Sequence, residues 1–283
     1  MESTRYFEEK VRVTIRDYKL IKKRDKVLVA VSGGKDSTTA LYILAKLGYN
    51  VEGIIIDQLL GDYSRQNLGN IKKFCEEENI KLHVIHMRDE YGCSVCYMKS
   101  VLDSKGIVLN TCAICGVIRR NILNKKSREL KADKIATGHN LDDEVQTIFM
   151  NFIRGDIARC ARLGPTAGIV KSRKFIPRIK PLYFCQEKEV EKYSRIHCFP
   201  VVYDPCPCSV DSTRSNVKNI INEWEGKHPG SKEEMMKGFL KIKPRLKYTH
   251  ASGKISECET CGEPSSNKVC KTCNILETLQ TTK

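Results

Sequence analysis

The sequence predicts an α/β protein, a parallel sheet covered by helices, with a small zinc ribbon at the C-terminal end. Three observations carry this reading. Short apolar runs alternate with helical patterns from residue 26 onward, a glycine-rich turn follows the first run, and two Cys-x-x-Cys pairs lie after residue 256.

Residues 1–25 have the spacing of a charged amphipathic helix, with Tyr6, Phe7, Val11, Val13, Ile15 and Tyr18 among polar positions. Lys26–Val31 is a short apolar run of the kind buried in parallel sheets. Ser32-Gly-Gly-Lys-Asp-Ser37 interrupts it, and Thr38–Leu47 has helical spacing at Ala40, Ile43, Leu44 and Leu47. Val51–Asp57 and Lys81–Met87 read as further strands, with a helix over Leu68–Asn79 between them. Beyond a cysteine-bearing stretch come a helix at 116–132, a strand at 134–138 and a helix at 142–154. Residues 155–185 show little periodicity. Glu187–His197 reads as a helix, Phe199–Tyr203 as a strand, and Asp211–Glu225 and Ser231–Lys241 as helices. Ser231-Lys-Glu-Glu234 has a capping-box pattern, and Pro244 is expected to stop that last helix. The expected organisation is an N-terminal helix (1–25), a catalytic domain (26–225), a helix with a linker (226–255) and a zinc ribbon (256–283).

With 41% hydrophobic and 29% charged residues over 283 positions, the chain can build a sizeable core. Lys and Arg exceed Asp and Glu by 49 to 34, a formal charge of +15 that favours a polyanionic partner. No apolar run approaches the ~20 residues of a membrane span, and the first residues have no signal-peptide core. A cytoplasmic protein is expected, and its fourteen cysteines then suit metal binding or chemistry better than disulfides.

A strand, then Ser-Gly-Gly-Lys-Asp-Ser, then a helix is a phosphate-binding arrangement. Gly33 and Gly34 allow close backbone approach, the helix aims free N–H groups at an anion, and Lys35 adds a full charge. It is not a Walker loop, because Val29 stands where that motif needs Gly, and Asp36 where it needs Ser or Thr. Asp142 and Asp143 open a helix beyond a strand, a place suited either to a Mg²⁺ bridging to phosphate or simply to capping that helix.

These residues resemble a known family. Ser32–Ser37 resembles the loop of PP-loop, N-type ATP pyrophosphatases, whose fold is adenine-nucleotide α-hydrolase-like. Gly138-His-Asn-Leu-Asp-Asp-Glu144 resembles the second signature of the tRNA-modifying branch, and Thr111-Cys-Ala-Ile-Cys-Gly-Val-Ile-Arg-Arg120 the cysteine motif of its thiolating members. With Cys206-Pro-Cys-Ser209 and the terminal ribbon, the pattern is similar to TtuA-type tRNA uridine 2-thiolation enzymes. The resemblance implies that ATP adenylates a uridine of tRNA and that sulfur then displaces AMP. It implies nucleotide contacts at Val31, Ser32, Gly33, Gly34, Ser37, Gly138, Arg119 and Asp143, with Ile56 near the adenine. Lys35, Asp36 and Asp142 are the expected catalytic groups around phosphate and Mg²⁺. The sulfur donor is sulfide or a ubiquitin-like thiocarboxylate carrier, and a homodimer is expected. A PP-loop ligase of the lysidine or amide type, or a tRNA cytidine thiolase, are the alternatives.

Cys258, Cys261, Cys270 and Cys273 have the spacing of a closed, structural Zn²⁺ site. Cys112, Cys115 and Cys206 match the family's ligands for a [4Fe–4S] cluster, a set of three that leaves one iron open. Without the resemblance, Cys93-x-x-Cys96 followed by Cys112-x-x-Cys115 would itself read as a zinc site. Beside a cluster, Cys93 and Cys96 would be a redox or persulfide relay or small apolar residues. Cys208 is a spare ligand or a second sulfur carrier, and Cys75, Cys160, Cys185 and Cys198 default to buried structural roles. No cysteine precedes Cys75, so the family's amino-terminal zinc finger has no counterpart in these residues.

The excess charge is concentrated. Residues 154–180 hold eight bases (Arg154, Arg159, Arg162, Lys171, Arg173, Lys174, Arg178 and Lys180) against Asp156, and residues 119–131 hold six against Glu129. A phosphate backbone is therefore expected along the catalytic domain, flanking the cysteine motif, rather than on the ribbon.

Overall fold

The computed structural model describes residues 2–168, 174–209, 213–250 and 255–280. Lys171, Arg173 and the first residues of the helix expected from Asp211 lie outside the described residues. Helix α1 (Glu2–Asp17) precedes β1 (Lys26–Val31), α2 (Lys35–Lys46), β2 (Asn50–Asp57), α3 (Asp62–Glu77) and β3 (Leu82–His86). Then come α4 (Met87–Tyr91), α5 (Val95–Ser104), α6 (Thr111–Glu129), β4 (Lys134–Thr137), α7 (Leu141–Ile153), α8 (Ile157–Cys160) and β5 (Arg178–Ile179). The chain continues through α9 (Glu187–Ile196), α10 (Thr213–Lys227), α11 (Ser231–Thr249), the short β6 (Ser256–Glu257) and β7 (Pro264–Ser265), and α12 (Lys271–Gln280).

Five parallel strands form the main sheet in the order β3-β2-β1-β4-β5. Chain order reverses between β1 and β4, and ligands of open parallel sheets bind beyond the strand ends at such a switch point. The period of two along β1 explains why both sheet faces are covered. Val27, Val29 and Val31 enter one core with Phe7, Val11 and Ile15 of α1, Leu41 of α2 and Tyr193 of α9. Leu28 enters the opposite core with Ile54, Ile135 and the Ile114, Ile118 and Ile122 stripe of α6. That stripe, at i, i+4 and i+8, seats the cysteine-bearing helix against the sheet. A third cluster joins Leu141, Val145 and Ile148 of α7 to Met236 and Phe239 of α11.

Several expectations are corrected here. The cysteine stretch is helical, and α6 starts at Thr111, so Cys112 and Cys115 lie in its first turns. Phe199–Tyr203 is no strand; Val202 makes only an isolated bridge to Gly34, and Pro200 has no N–H for a ladder. The fifth strand is Arg178–Ile179, two residues between prolines at 177 and 181, too short to show alternation in sequence. Helix α11 runs through Pro244 to Thr249, with Leu240 and Leu246 packed against the third cluster on either side of the missing backbone bond. Its N-cap is Gly230 rather than Ser231, and the carboxylate of Glu225 serves the free ends instead, accepting from the N–H groups of Gly230 (2.8 Å) and Lys232 (2.9 Å). Helix α11 packs on α7 through Met236 and Phe239.

Ile118→Ala removes the centre of the α6 stripe. It should destabilise the fold by about 2–5 kcal/mol in urea or guanidinium titration.

Candidate active site

The loop between β1 and α2 is tied by its own hydroxyls. Ser37 Oγ accepts from the N–H of Ser32 (3.0 Å) and donates to the carbonyl of Gly34 (3.2 Å), while no side chain caps α2. The first N–H groups of α2 therefore remain for an anion. Gly33 sits at φ +80°, and a Cβ there would lie 2.6 Å from Asn67 Oδ1, itself a buried acceptor with no partner among the described residues. A Cβ on Gly138 would lie 2.6 Å from the backbone of Asp36 and Ser37. The second glycine motif thus sets the end of β4 against the first turn of α2, and the cradle fits a nucleotide.

Lys35 Nζ lies 3.1 Å from Asp36 and 3.0 Å from Glu187. Partial burial works against its charge, but these two carboxylates hold it well above the ordinary lysine range. Glu187, which also pairs with Lys218, was not foreseen; only its place at the start of a helix marked it in sequence.

Asn140 organises the second motif. It closes a capping box with Asp143 and donates through Nδ2 to Asp36 Oδ1 at 3.0 Å. Burial, and then the charge of Asp143, raises Asp36 above the usual carboxylate range; burial raises Asp143 as well, with Arg214 opposing. Two crowded carboxyls at the phosphate end of the loop are a donor set suited to Mg²⁺. Arg214, another residue missed in sequence, lies 3.5 Å from Asp143 and donates to Thr147 at 3.0 Å.

Asp142 does not join this pair. One carboxylate oxygen takes a buried ion pair with Lys232 and the other accepts from the N–H of Glu187 at 2.7 Å. The expectation of metal work at Asp142 is corrected: both oxygens are committed to holding α9 and α11 in place. Successive residues of one helical turn face different ways, which separates its role from that of Asp143.

Beyond the loop, a cleft of about 310 Å³ runs from Ser32 and Ile56 past Gln58 and Asn67 to Cys112, Cys115, Arg119 and Cys206. Val31 and Ile56 are buried apolar residues at the ends of β1 and β2, and only Ile56 lines this cleft. Cys115 donates to Gln58 Oε1 at 3.0 Å and Cys112 to the carbonyl of Cys208 at 3.3 Å. Burial pushes the Cys115 thiol up, and Arg119 beside it works the other way. The alternative zinc set is not assembled. Among the described residues, only the four ribbon cysteines bring three or more candidate ligand atoms within 4.8 Å of one another. Cys93 instead packs against the second core, and Cys96 is exposed. Four thiols, Cys112, Cys115, Cys206 and Cys208, line this cleft, and no three of them gather within 4.8 Å; thiols spread in this way suit a cluster whose ligands bind separate irons. Cys75, Cys160 and Cys185 are buried as expected, whereas Cys198 is exposed at φ +51°.

In the ribbon, Cys261 and Cys270 sulfurs lie 3.8 Å apart, matching the about 3.8 Å edge of a tetrahedron with Zn–S near 2.3 Å. Burial opposes charge at Cys258, but backbone N–H groups, led by that of Cys270, pull its thiol down to about 6. The ribbon is fastened to the cysteine helix. Glu263 pairs with Arg128 and accepts from Asn124 at 3.0 Å, and Ile275 of α12 enters the second core.

The fold and cleft define a nucleotide-binding α/β protein that sets a phosphate loop beside a group of thiols. A family model described as a PP-loop domain matches residues 4–224. The chain is 36% identical over 268 residues to a tRNA-5-methyluridine(54) 2-sulfurtransferase of Pyrococcus horikoshii, covering 95% of this chain and 84% of that one. It is 31% identical to cytoplasmic tRNA 2-thiolation protein 1 of Caenorhabditis elegans, covering 98% of this chain and 74% of that one. Among solved structures, the U34-tRNA thiolase NcsA of Methanococcus maripaludis with its [4Fe–4S] cluster superposes with a TM-score of 0.81 at 36% identity, over 98% and 88% of the two chains. The chain belongs to the PP-loop family and, within it, to the tRNA 2-thiolation enzymes. No helix among the described residues is long and apolar enough to cross a membrane.

Lys232→Met leaves Asp142 buried without its cation. It should cost about 3–5 kcal/mol of stability by denaturant titration, while ATP at saturation still binds the folded fraction. Because Asp36 and Asp143 have raised pKa values, they take up protons at higher pH than an ordinary Asp near 3.9. Mg²⁺-dependent ATP binding, followed by calorimetry from pH 7.5 downward, should begin to weaken above that value; Asp143→Asn should lower the pKa of Asp36 in carboxyl NMR titration.

Proposed function

We propose that this protein is an ATP-dependent tRNA uridine 2-thiolation enzyme, releasing AMP and pyrophosphate. The observation that carries the reading is the single cleft joining Ser32 at the phosphate loop to Cys112, Cys115 and Cys206. ATP binds with its phosphates over the N-terminus of α2, where Lys35 is released from Glu187 and Asp36 to meet the pyrophosphate. Asp36 and Asp143 would hold Mg²⁺ there. The O2 oxygen of the uridine attacks the α-phosphorus, and pyrophosphate leaves. This converts a poor oxygen leaving group into AMP. Sulfide sulfur then adds at C2 and AMP departs with the oxygen. Preorganised positive charge at the leaving phosphates is the main electrostatic contribution expected from the protein.

Cys112, Cys115 and Cys206 would hold a [4Fe–4S] cluster, which when bound supplies the sulfur at its non-cysteine iron. Arg119 lies between thiols and nucleotide, placed to favour thiolate at Cys115 and to meet negative charge on the substrate. The four ribbon cysteines would hold Zn²⁺ as a structural ion. Sulfide or a ubiquitin-like thiocarboxylate carrier serves as donor, and the target base is a uridine as in the relatives named above.

The test is anaerobic thiolation of tRNA with ATP, Mg²⁺ and sulfide. Cys112→Ala protein should bind ATP normally and form less than about 1% of the wild-type 2-thiouridine by mass spectrometry of nucleosides. Full thiolation by that variant would overturn the role of the thiols, and would return the reading to a PP-loop ligase that needs none.

A further inference from the structure

On the rim of the cysteine cleft, two arginines face each other without a counter-charge. Arg178, on the edge strand β5, donates from Nη2 to the carbonyl of Arg120 at 3.2 Å, and its Nε is buried with no partner. Arg120 is exposed, and its guanidinium lies over Gly116, where a Cβ would come within 3.2 Å of Nη1. The bare glycine of the cysteine motif is what lets Arg120 lie down on α6. No carboxylate pairs with either arginine among the described residues. Several other bases of the domain differ. Arg159 pairs with Asp156, Lys180 with Glu144, Arg214 with Asp143 and Arg128 with Glu263. Burial and the nearby charge of Arg120 push Arg178 down to about 10, so the pair is strained by repulsion while both groups stay cationic at neutral pH.

We infer that Arg120 and Arg178 form a binding site for one backbone phosphodiester of the RNA substrate, next to the entrance through which the target base reaches the cysteines. The inference rests on the tRNA reading above. Two guanidinium forks without carboxylates present donors in the planar geometry that phosphate oxygens accept. The position on α6 argues for the RNA rather than ATP. Cys112, Cys115, Gly116 and Arg119 line the cleft, and Arg120, one turn on from Gly116, lays its guanidinium over that glycine at the cleft edge. Neither Arg120 nor Arg178 lines the cleft that contains Ser32 of the phosphate loop. A nucleotide whose base enters the cleft must leave its backbone on this rim.

The experiment measures equilibrium binding of tRNA to the cluster-loaded, zinc-containing protein between about 50 and 200 mM salt, for wild type, R120Q, R178Q, the double variant and the charge-retaining R120K/R178K. ATP binding is measured in parallel, with inorganic phosphate as a competitor in both assays. The double variant should lose roughly tenfold in tRNA affinity, and its slope of log K against log salt should shrink by about one. ATP affinity should be unchanged, and R120K/R178K should recover most of the salt slope. Unchanged tRNA affinity and slope in a double variant that still binds ATP would overturn the inference. A loss confined to ATP affinity would also overturn it, by placing the arginines in the nucleotide site. Should R178Q fail to fold, exposed Arg120 carries the test alone through R120Q. Wild-type protein that binds no tRNA would overturn the functional reading itself, a result separable from the variant comparison.

Discussion

The structure depends on one close approach, the bare Cα of Gly138 against the backbone of Asp36 and Ser37. Any side chain at 138 would part the end of β4 from the first turn of α2. That contact lets Asn140 reach Asp36, brings Asp143 up to the same carboxyl, and closes the base of the site. The sheet makes the contact available, because β1 and β4 are neighbours with chain order reversing between them. Phosphate loop and acidic motif are about a hundred residues apart in sequence, and the switch point brings them together.

A second set of constraints runs from the periphery inward. Lys232 on α11 fixes Asp142, Asp142 fixes the backbone at Glu187, and Glu187 holds Lys35. Burying such charges is costly unless each is paired, so the chain specifies where α9 and α11 stand relative to the loop. It also parks the loop lysine between two acids, from which an incoming polyphosphate can draw it. The helices after residue 185 therefore belong to the site's architecture.

The cysteine side is built on a different physical basis. The Ile114, Ile118 and Ile122 stripe pins α6 to the sheet, and the ribbon clamps its far end through Arg128, Asn124 and Ile275. Cys112 and Cys115 thus stand on a rigid helix rather than on a loop, while Cys206 arrives from the segment bridged to Gly34 through Val202. Rigid support fixes where these thiols stand, which the proposed cluster site would require.

The alternation of apolar strands and helices, the glycine loop, the acidic motif and the four ribbon cysteines were legible in the sequence, because each is encoded by local spacing or by residue chemistry; so was the cysteine motif that the structure brings to the cleft. Asp142 was not, since adjacent carboxylates look alike until the helix turns one toward Lys232 and the other toward Asp36. Glu187 and Arg214 could not be assigned from sequence, as their partners in the site, Lys35 and Asp143, lie more than 60 residues away. Strand β5 and the continuation of α11 past Pro244 were hidden for the same reason: packing overrides short-range propensity where a core is present to receive the segment. By itself the sequence determined the elements, the metal-binding residue types and the nucleotide loop, because periodicity and chemistry act over a few residues. Only the tertiary structure decided which charges neutralise one another, and among the described residues it leaves Arg120 and Arg178 without a carboxylate beside the thiol cleft.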